Sequence, residues 1–590
     1  MENKHHFLWI FLGAISIGFH LWLIFSGLVP SLVSRPLHMA LALPWIFIFP
    51  ARGLRQQTVG LALTTTGMIG CFYIALNEAG LSDQYGFVSG WWQMAVGAGL
   101  LMLTLEMARR VVGWPLPTIA LVFLIYGLFG NAIPGEFGHP GIPINSFMGT
   151  MIITEGGLWG KLTGVSVSVV AVFVIFGAVL NAGEAGQGFM NIAIAVAGRL
   201  KGGAAKVSVL SSALFGSISG SASANVASTG MVTLPTMRKL GYPGSVAAAV
   251  EAVASTGGQI MPPLMGAGAF VMVELTGIPY TDIITAAFLP AILYFVTVWL
   301  GVNVYADRLG LKPYEDDMRP DGIMVLKTAM FFFLPFAVLL AVMFSGYTPQ
   351  FAAAAAILLA ATLLITDTEL RLDMGRAATR LATAAVFAGR QIAMIAAIIL
   401  CASIIIGILG MTGLGIKLTS AILVFSGDSL WLALLLTALA CIILGMEVPT
   451  TAAYVICVSV AGPALIDLGV SPLLVHLFIF WYALLSTITP PVCGGVFIAA
   501  GMVGENWLNV ARSAMALGVG LYFIPLAMIR HPELTQLATT PFTSVFAALQ
   551  ISLALSLLGR GLISGTGLPI RLLLIAGGLA LMFARIPLVF

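Results

Sequence analysis

Charge is what this 590-residue chain has least of: 8% of its residues are Asp, Glu, Lys or Arg, against about 25% in soluble domains. With 59% apolar residues and a mean hydropathy of +1.05, a soluble globular fold is excluded. Cysteine is scarce too. Cys71, Cys401, Cys441, Cys457 and Cys493 all sit in apolar runs without CxxC spacing, so neither a disulfide framework nor a metal cluster is supported, and small buried hydrophobes are the plain reading. Also missing are a Walker-type phosphate loop, HExxH and GxSxG, so ATP hydrolysis and intramembrane proteolysis lack machinery. The chain therefore does not read as an enzyme, no catalytic residue or cofactor is expected, and no nucleic-acid partner is expected.

What the chain has instead is long apolar runs. Fifteen stretches approach the roughly 20 residues that cross a bilayer: near 7–29, 38–50, 58–77, 90–107, 115–131, 165–182, 244–275, 283–303, 325–345, 350–366, 383–410, 472–503, 508–530, 543–558 and 568–584. The fold class is an all-α polytopic membrane protein. The first run follows Lys4, His5 and His6 but is too long for a signal peptide and lacks a small-x-small cleavage site, so it reads as a retained span. Threading the spans with the N-terminus inside gathers Arg52, Arg55, Arg109, Arg110, Arg199, Lys201, Lys206, Arg238, Lys239, Arg308, Lys312, Arg371, Arg376 and Arg380 on one side. Arg35, Lys161, Lys417, Arg530 and Arg585 fall on the other. That asymmetry predicts a cytoplasmic N-terminus. Residues 1–113 give four spans with nothing polar at membrane depth, which suits a four-helix scaffold; 114–530 form the candidate transport domain, and 531–590 add two apparent spans.

Beyond Trp114 the apolar pattern is interrupted in matched pairs. "GSISGSASAN" (216–225) answers "GMEVPTTAAY" (445–454), and "STGGQIMPP" (255–263) answers "STITPPVCGG" (486–495), with "LGYPGS" and "LGVSP" turns between them. Upstream, "FGAVLNAGEAGQG" (176–188) answers "IGILGMTGLGIK" (406–417), so the offset is roughly 230 residues throughout. The five spans between the first pair place its members on opposite membrane faces: an inverted-topology repeat, as in many secondary transporters. Stretches about 204–240 and 429–468 read as re-entrant helical hairpins. Their non-helical tips must be buried in protein or line a watery cavity, because unpaired backbone in lipid costs several kcal/mol per group. Pro262, Pro263, Pro490 and Pro491 remove donors and unwind the second pair midway. Small-residue helix packing is the alternative for the glycines, but it leaves the Pro-Pro breaks unexplained. Half-helix N-termini suit a carboxylate and freed carbonyls suit a small cation.

The ordered pattern "GSISGSASANVASTGMVTLPTMRKLGYP…STGGQIMPP" then "GMEVPTTAAYV…STITPPV" resembles the membrane component of tripartite ATP-independent periplasmic (TRAP) transporters, in the fused form of the TAXI subclass. Residues 1–113 resemble the small subunit and 114 to about 530 the large one. The resemblance implies an elevator-type, sodium-driven symporter in the bacterial inner membrane, surrounded by membrane lipids and served by a periplasmic TAXI-type substrate-binding protein that delivers a small organic acid. It implies sodium sites at Ser217, Ser219, Gly257 and Pro262, and at Gly445, Thr450, Thr487 and Pro490. Substrate is implied near Ser221, Ser223, Asn225, Thr450 and Thr451. Glu447 departs from the subclass pattern, where Gly is usual, and puts an all-neutral sodium site in doubt.

Acids within spans are expensive and functional by default. Glu251 and Glu447 are the coupling candidates, for strengthening a cation site or carrying a proton in place of sodium; a neutral packing carboxyl is the alternative. His476 also falls within a span. Arg390 either attracts an anionic substrate or snorkels to headgroups. Segment 132–160, acidic and Pro/Gly-rich, is external and either docks the binding protein or merely connects. A channel or a partner-independent symporter are the rival functions; saturable, gradient-driven uptake that needs a partner separates them from a TRAP transporter.

Overall fold

Apolar runs that cannot leave backbone groups unpaired in lipid have one open solution here, the helix. The computed structural model describes residues 2–311, 313, 320–367, 369 and 371–585, with the side chains of 2–6, 219, 446 and 447 left aside. Among the described residues there are only helices, turns and one isolated bridge, Thr366 to Leu372. Ten helices among those residues are long and apolar enough to cross a membrane, and the shorter apolar ones include hairpin arms and halves of broken helices.

The four N-terminal helices Glu2–Phe25, Ser31–Phe47, Leu54–Leu76 and Trp91–Val112 pack around their own apolar cluster. That cluster is completed from elsewhere, by Phe147 to Trp159 and by Ala393 to Ile408. Ala393 to Ile408 belong to Met374–Thr412, a 39-residue helix that touches the N-terminal unit on one side and Ala171–Ala182 on the other. Close approach to this pillar depends on absent side chains. A Cβ on Gly13 would meet the Ala385 carbonyl oxygen at 2.2 Å, and one on Gly407 would meet that of Gly156 at 2.4 Å.

A polar chain adds to this apolar packing. His20 Nδ1 contacts the Ser16 carbonyl at 2.6 Å, His20 Nε2 and His38 Nδ1 are 2.8 Å apart, and His38 Nε2 lies 3.0 Å from Ser166 Oγ. All four residues are buried. Ser166 opens a single π-helical turn, Ser166–Val170, so the chain ties two N-terminal helices to an irregularity in the core. Sequence reading found nothing polar at depth in residues 1–113; the two imidazoles correct that.

Segment 132–160 is not a bare connector. Its helix Ile144–Ile152 buries Phe147, Met148 and Met151, and Trp159 is fully buried with its indole N–H donating to the Ile152 carbonyl at 2.8 Å. The tip around 131–137 is exposed, as are Pro140, Pro143, Ile144, Glu155 and Gly156. The last residues also have a place: Pro541–Ile563 and Leu568–Phe583 pair with each other, and the first lies along Tyr280–Leu309, with Arg308 donating to the Ile563 carbonyl at 3.0 Å.

The repeat is regular in length. Ala185–Ala197 and Leu414–Ser426 both have 13 residues, Ala222–Lys239 and Thr450–Asp467 both 18, and Gly244–Gly257 and Pro472–Leu485 both 14. Loop contacts sort into two groups. Arg380 pairs with Glu184, Lys201 with Asp307 and Arg238 with Glu505, whereas Arg35 pairs with Glu155 and Lys417 reaches the Gly138 carbonyl. Each joins loops that the threading puts on one side.

The histidine chain makes a checkable claim. His38→Leu leaves His20 Nε2 and the Ser166 hydroxyl without their partners, at a cost of about 1–3 kcal/mol for a stranded buried polar group. The unfolding midpoint in detergent is expected to fall; an unchanged midpoint would show that the chain contributes nothing.

Candidate functional site

Each hairpin turns where its sequence forces the helix to stop. In the first, Gly203–Ser219 ends at Gly220, whose φ of 62° is left-handed, a conformation glycine adopts without steric cost. Ser221 then caps Ala222–Lys239 by accepting from the Ala224 N–H at 3.3 Å. The arms run antiparallel: Ser212 Oγ and Thr229 Oγ1 are 3.1 Å apart, and the Asn225 amide donates to the Ser212 carbonyl at 2.9 Å. In the second hairpin Leu430–Glu447 gives way to extended Val448, and Pro449 precedes Thr450–Asp467. Its arms pack along each other, with Cys441 and Cys457 buried.

The broken helices complete the site. Gly244–Gly257 and Gly266–Thr276 flank one irregular stretch, Pro472–Leu485 and Gly494–Val503 the other. Pro262-Pro263 and Pro490-Pro491 lie inside these stretches, both as cis bonds. The two breaks meet: Thr256 Oγ1 is 2.9 Å from Thr487 Oγ1. These threonines are 231 residues apart, the repeat spacing, so residues at matching places of the two breaks face each other. Each hydroxyl also donates to its own helix, Thr256 to the Ala252 carbonyl and Thr487 to the Leu484 carbonyl, at 2.7 Å in both cases. Two hydroxyl protons cannot serve three contacts, so when either threonine donates to the other it gives up its own helix carbonyl, and each oxygen keeps a lone pair free.

Beside this contact lies a cavity of about 380 Å³. Both tips line it, through Ser221 and Ser223 and through Gly445, Thr450 and Thr451; Ser486 and Thr487 enter from the second break, Gln259 and Leu264 from the first. The pillar contributes Gln391 and Met394, and Phe173 and Phe270 close one wall. The glutamines and the phenylalanines escaped sequence reading. Gln391 was detectable as an amide within a long apolar run.

Several expected residues stand elsewhere. Ser217 is buried and donates to the Leu214 carbonyl at 2.8 Å. Gly257 lies flat against Tyr294, where a Cβ would come within 2.1 Å of the ring. Neither they nor Pro262, Pro490 and Asn225 line the cavity. The Asn225 amide instead bridges the Ser212 carbonyl to that of Ser255, at 2.9 and 3.4 Å, fixing the hairpin to the broken helix. The side chains of Ser219 and Glu447 lie outside the described residues. Arg390 turns away, over the Phe49 ring at 5.9 Å, and His476 is hydrogen-bonded to the Tyr454 hydroxyl at 2.7 Å.

Glu251 is fully buried behind the cavity, and five hydroxyls donate to it. Oε1 accepts from Ser212 and Ser255, both at 3.2 Å, and from Thr229; Oε2 accepts from Ser208 at 2.8 Å and from Thr233. One carboxyl thus joins both hairpin arms to the helix before the break. Among the described residues no group of three His, Cys, Asp or Glu side chains could hold a metal ion.

A second hollow of about 460 Å³ lies beyond Phe270, lined by Arg35, Lys161, Glu155 and Glu274. Phe270 borders both spaces. It stacks between Phe173, at 4.2 Å, and Tyr280, at 4.7 Å between centroids. The Tyr280 hydroxyl bonds to the Pro263 carbonyl and, at 3.0 Å, to that of Leu264. An aromatic partition hinged on the unwound segment therefore separates cavity and vestibule.

The family described as "Tripartite ATP-independent periplasmic transporter, DctM component" matches residues 100–542, well over half of the chain. The uncharacterized protein YgiK of Salmonella typhimurium is 23% identical over 65% of this chain and 86% of its own length. The C4-dicarboxylate TRAP transporter large permease protein DctM of Pseudomonas aeruginosa is 24% identical over 58% of this chain and 79% of its own length. The ectoine/5-hydroxyectoine TRAP transporter large permease protein UehC of Ruegeria pomeroyi is 24% identical over 71% and 96%.

The five-hydroxyl cradle is open to test. Thr233→Val keeps the shape and deletes one donor, and is expected to lower stability by roughly 1.5–3 kcal/mol if the acceptor is charged. Chemical or thermal unfolding would read the loss, and full wild-type stability would show that this arm does not hold Glu251.

Proposed function

Starting from the premise that this chain belongs to the tripartite ATP-independent periplasmic transporter family as its DctM component, we propose that it is the permease of a sodium-coupled, elevator-type importer of a small organic acid. It is a transporter permease and not an enzyme. Permeases of this family work with a periplasmic substrate-binding protein. In our reading that partner is of the TAXI type, residues 1–113 act as a fused small subunit, and the N-terminus is cytoplasmic in a bacterial inner membrane.

The observation that carries the reading is the cavity shared by two inverted hairpin tips and two broken helices. A carboxylate suits the start of Ala222–Lys239 and of Thr450–Asp467, whose free N–H groups and positive dipole ends belong to the tips. The names of the relatives support an organic acid: C4-dicarboxylate for one, ectoine for another. Sodium suits the paired hydroxyl oxygens of Thr256 and Thr487, because a small hard cation takes oxygen ligands, together with backbone carbonyls near Ser217, Ser219, Gly257 and Pro262 and near Gly445, Thr450 and Pro490. Glu251 sits one turn before Ser255 and holds the first hairpin, so its charge would bias that site for a cation or bind a proton instead. The vestibule would receive the acid from the binding protein, and Phe270 would move aside to admit it.

Proteoliposomes test this directly. With the cognate binding protein loaded with its acid outside, uptake is expected to need both that protein and an inward sodium gradient. Thr487→Val should lower gradient-driven uptake at least tenfold without loss of folded protein. Glu251→Gln should change the sodium or pH dependence; if uptake and both dependences stay as in the wild type, Glu251 has no coupling role. Flux without the partner or without a gradient would point to a channel.

A further inference from the structure

One cation in this chain is buried with no acid to answer it. Lys206 is 4% exposed, and among the described residues no carboxylate pairs with it; its ammonium lies over the Trp299 ring, 5.0 Å from the centroid. Nearby Lys201 is matched with Asp307, so the local charge is not cancelled from that side. Lys206 also sits in the first turn of Gly203–Ser219, where the helix dipole repels a cation. An anion at this spot would satisfy the lysine and the helix end together.

Trp299 leads from that cation into a groove. About 300 Å³ in volume, it runs between Gly203–Ser219 and Tyr280–Leu309, walled by Leu210, Ala213, Phe295 and Val296 and ending on Met261. Its wall from Ile292 to Leu300 covers roughly 12 Å of helix, close to one leaflet of a ~30 Å hydrocarbon core. A cation tucked under the rim tryptophan and an apolar trough of leaflet length are the parts of a phospholipid site once the lysine swings out to the headgroup.

We propose that this groove seats an anionic phospholipid from the leaflet on the cation-rich face, with one acyl chain against Leu210 and Phe295 and the phosphate on Lys206. Met261 belongs to the unwound stretch between Gly244–Gly257 and Gly266–Thr276, so the chain end covers the flank of the broken helix. The lipid therefore seals backbone that would otherwise meet the bilayer, and couples the composition of that leaflet to the transport site.

Lipid quenching tests the site without any transport substrate. The full-length protein is reconstituted in phosphatidylcholine vesicles doped with brominated phosphatidylglycerol or brominated phosphatidylcholine, and the Trp299 signal is taken as the fluorescence lost in Trp299→Phe. We expect phosphatidylglycerol to quench Trp299 at about fivefold lower mole fraction, the factor that ~1 kcal/mol per lysine near the headgroups provides. Lys206→Gln should remove that preference, Lys206→Arg should keep it, and Ala213→Phe, which fills the trough, should diminish quenching by either lipid. Equal quenching by the two lipids in the wild type would overturn the proposal. So would a preference that survives Lys206→Gln, or quenching undiminished in Ala213→Phe.

Discussion

Backbone that stops being helical at bilayer depth must find its hydrogen bonds inside the protein, and most of the architecture around the site follows from meeting that demand four times. The first tip is met by Gly220 and the Ser221 cap, the second by Pro449, which has no N–H to satisfy. At the first break, the Tyr280 hydroxyl takes the Pro263 and Leu264 carbonyls, and the Asn225 amide takes those of Ser212 and Ser255. Such partners are polar and come from neighbouring elements, so the irregular stretches gather where they can serve one another. A cavity that sets hydroxyls and amides among apolar walls results.

The two halves solve the same problem with different chemistry. In the first, Ser208, Ser212, Thr229, Thr233 and Ser255 bind Glu251, so the hairpin is fastened to its broken helix by polar contacts on one buried carboxyl. At the matching place in the second hairpin stand the buried Cys441 and Cys457, and Pro472–Leu485 carries no acid. The second hairpin is tied to its broken helix by apolar contact and by the Tyr454–His476 hydrogen bond at 2.7 Å, without a shared carboxyl whose donors must all be satisfied. Thr256 and Thr487, at matching places of the two breaks, meet where the halves join.

The sequence announced the irregular elements because each needs residues that helices avoid. Gly and Ser at 216–225, Pro449, and the two Pro-Pro pairs marked the tips and breaks to within a few residues. Ser221, Ser223, Gly445, Thr450, Thr451 and Thr487 do converge on one cavity. What stayed hidden was direction. Asn225 has the chemistry of a ligand-binding residue but points between hairpin arms, and Arg390 faces Phe49 while its neighbour Gln391 faces the cavity; one residue of helical phase decides which. Long-range pairings were equally illegible: His38 with Ser166, the burial of Trp159, and the Phe173, Phe270 and Tyr280 stack join stretches whose local pattern says nothing of a partner.

The central claim is that both tips open on one space. Single cysteines at Ser223 and Thr451, in a chain with its five buried cysteines replaced by alanine, can be exposed to a membrane-impermeant thiol reagent from either side of oriented vesicles. A shared cavity predicts that both positions react from the same face in a given state and that substrate protects them together. Reaction of Ser223→Cys only from the basic face and of Thr451→Cys only from the opposite one, with no common protection, would contradict it.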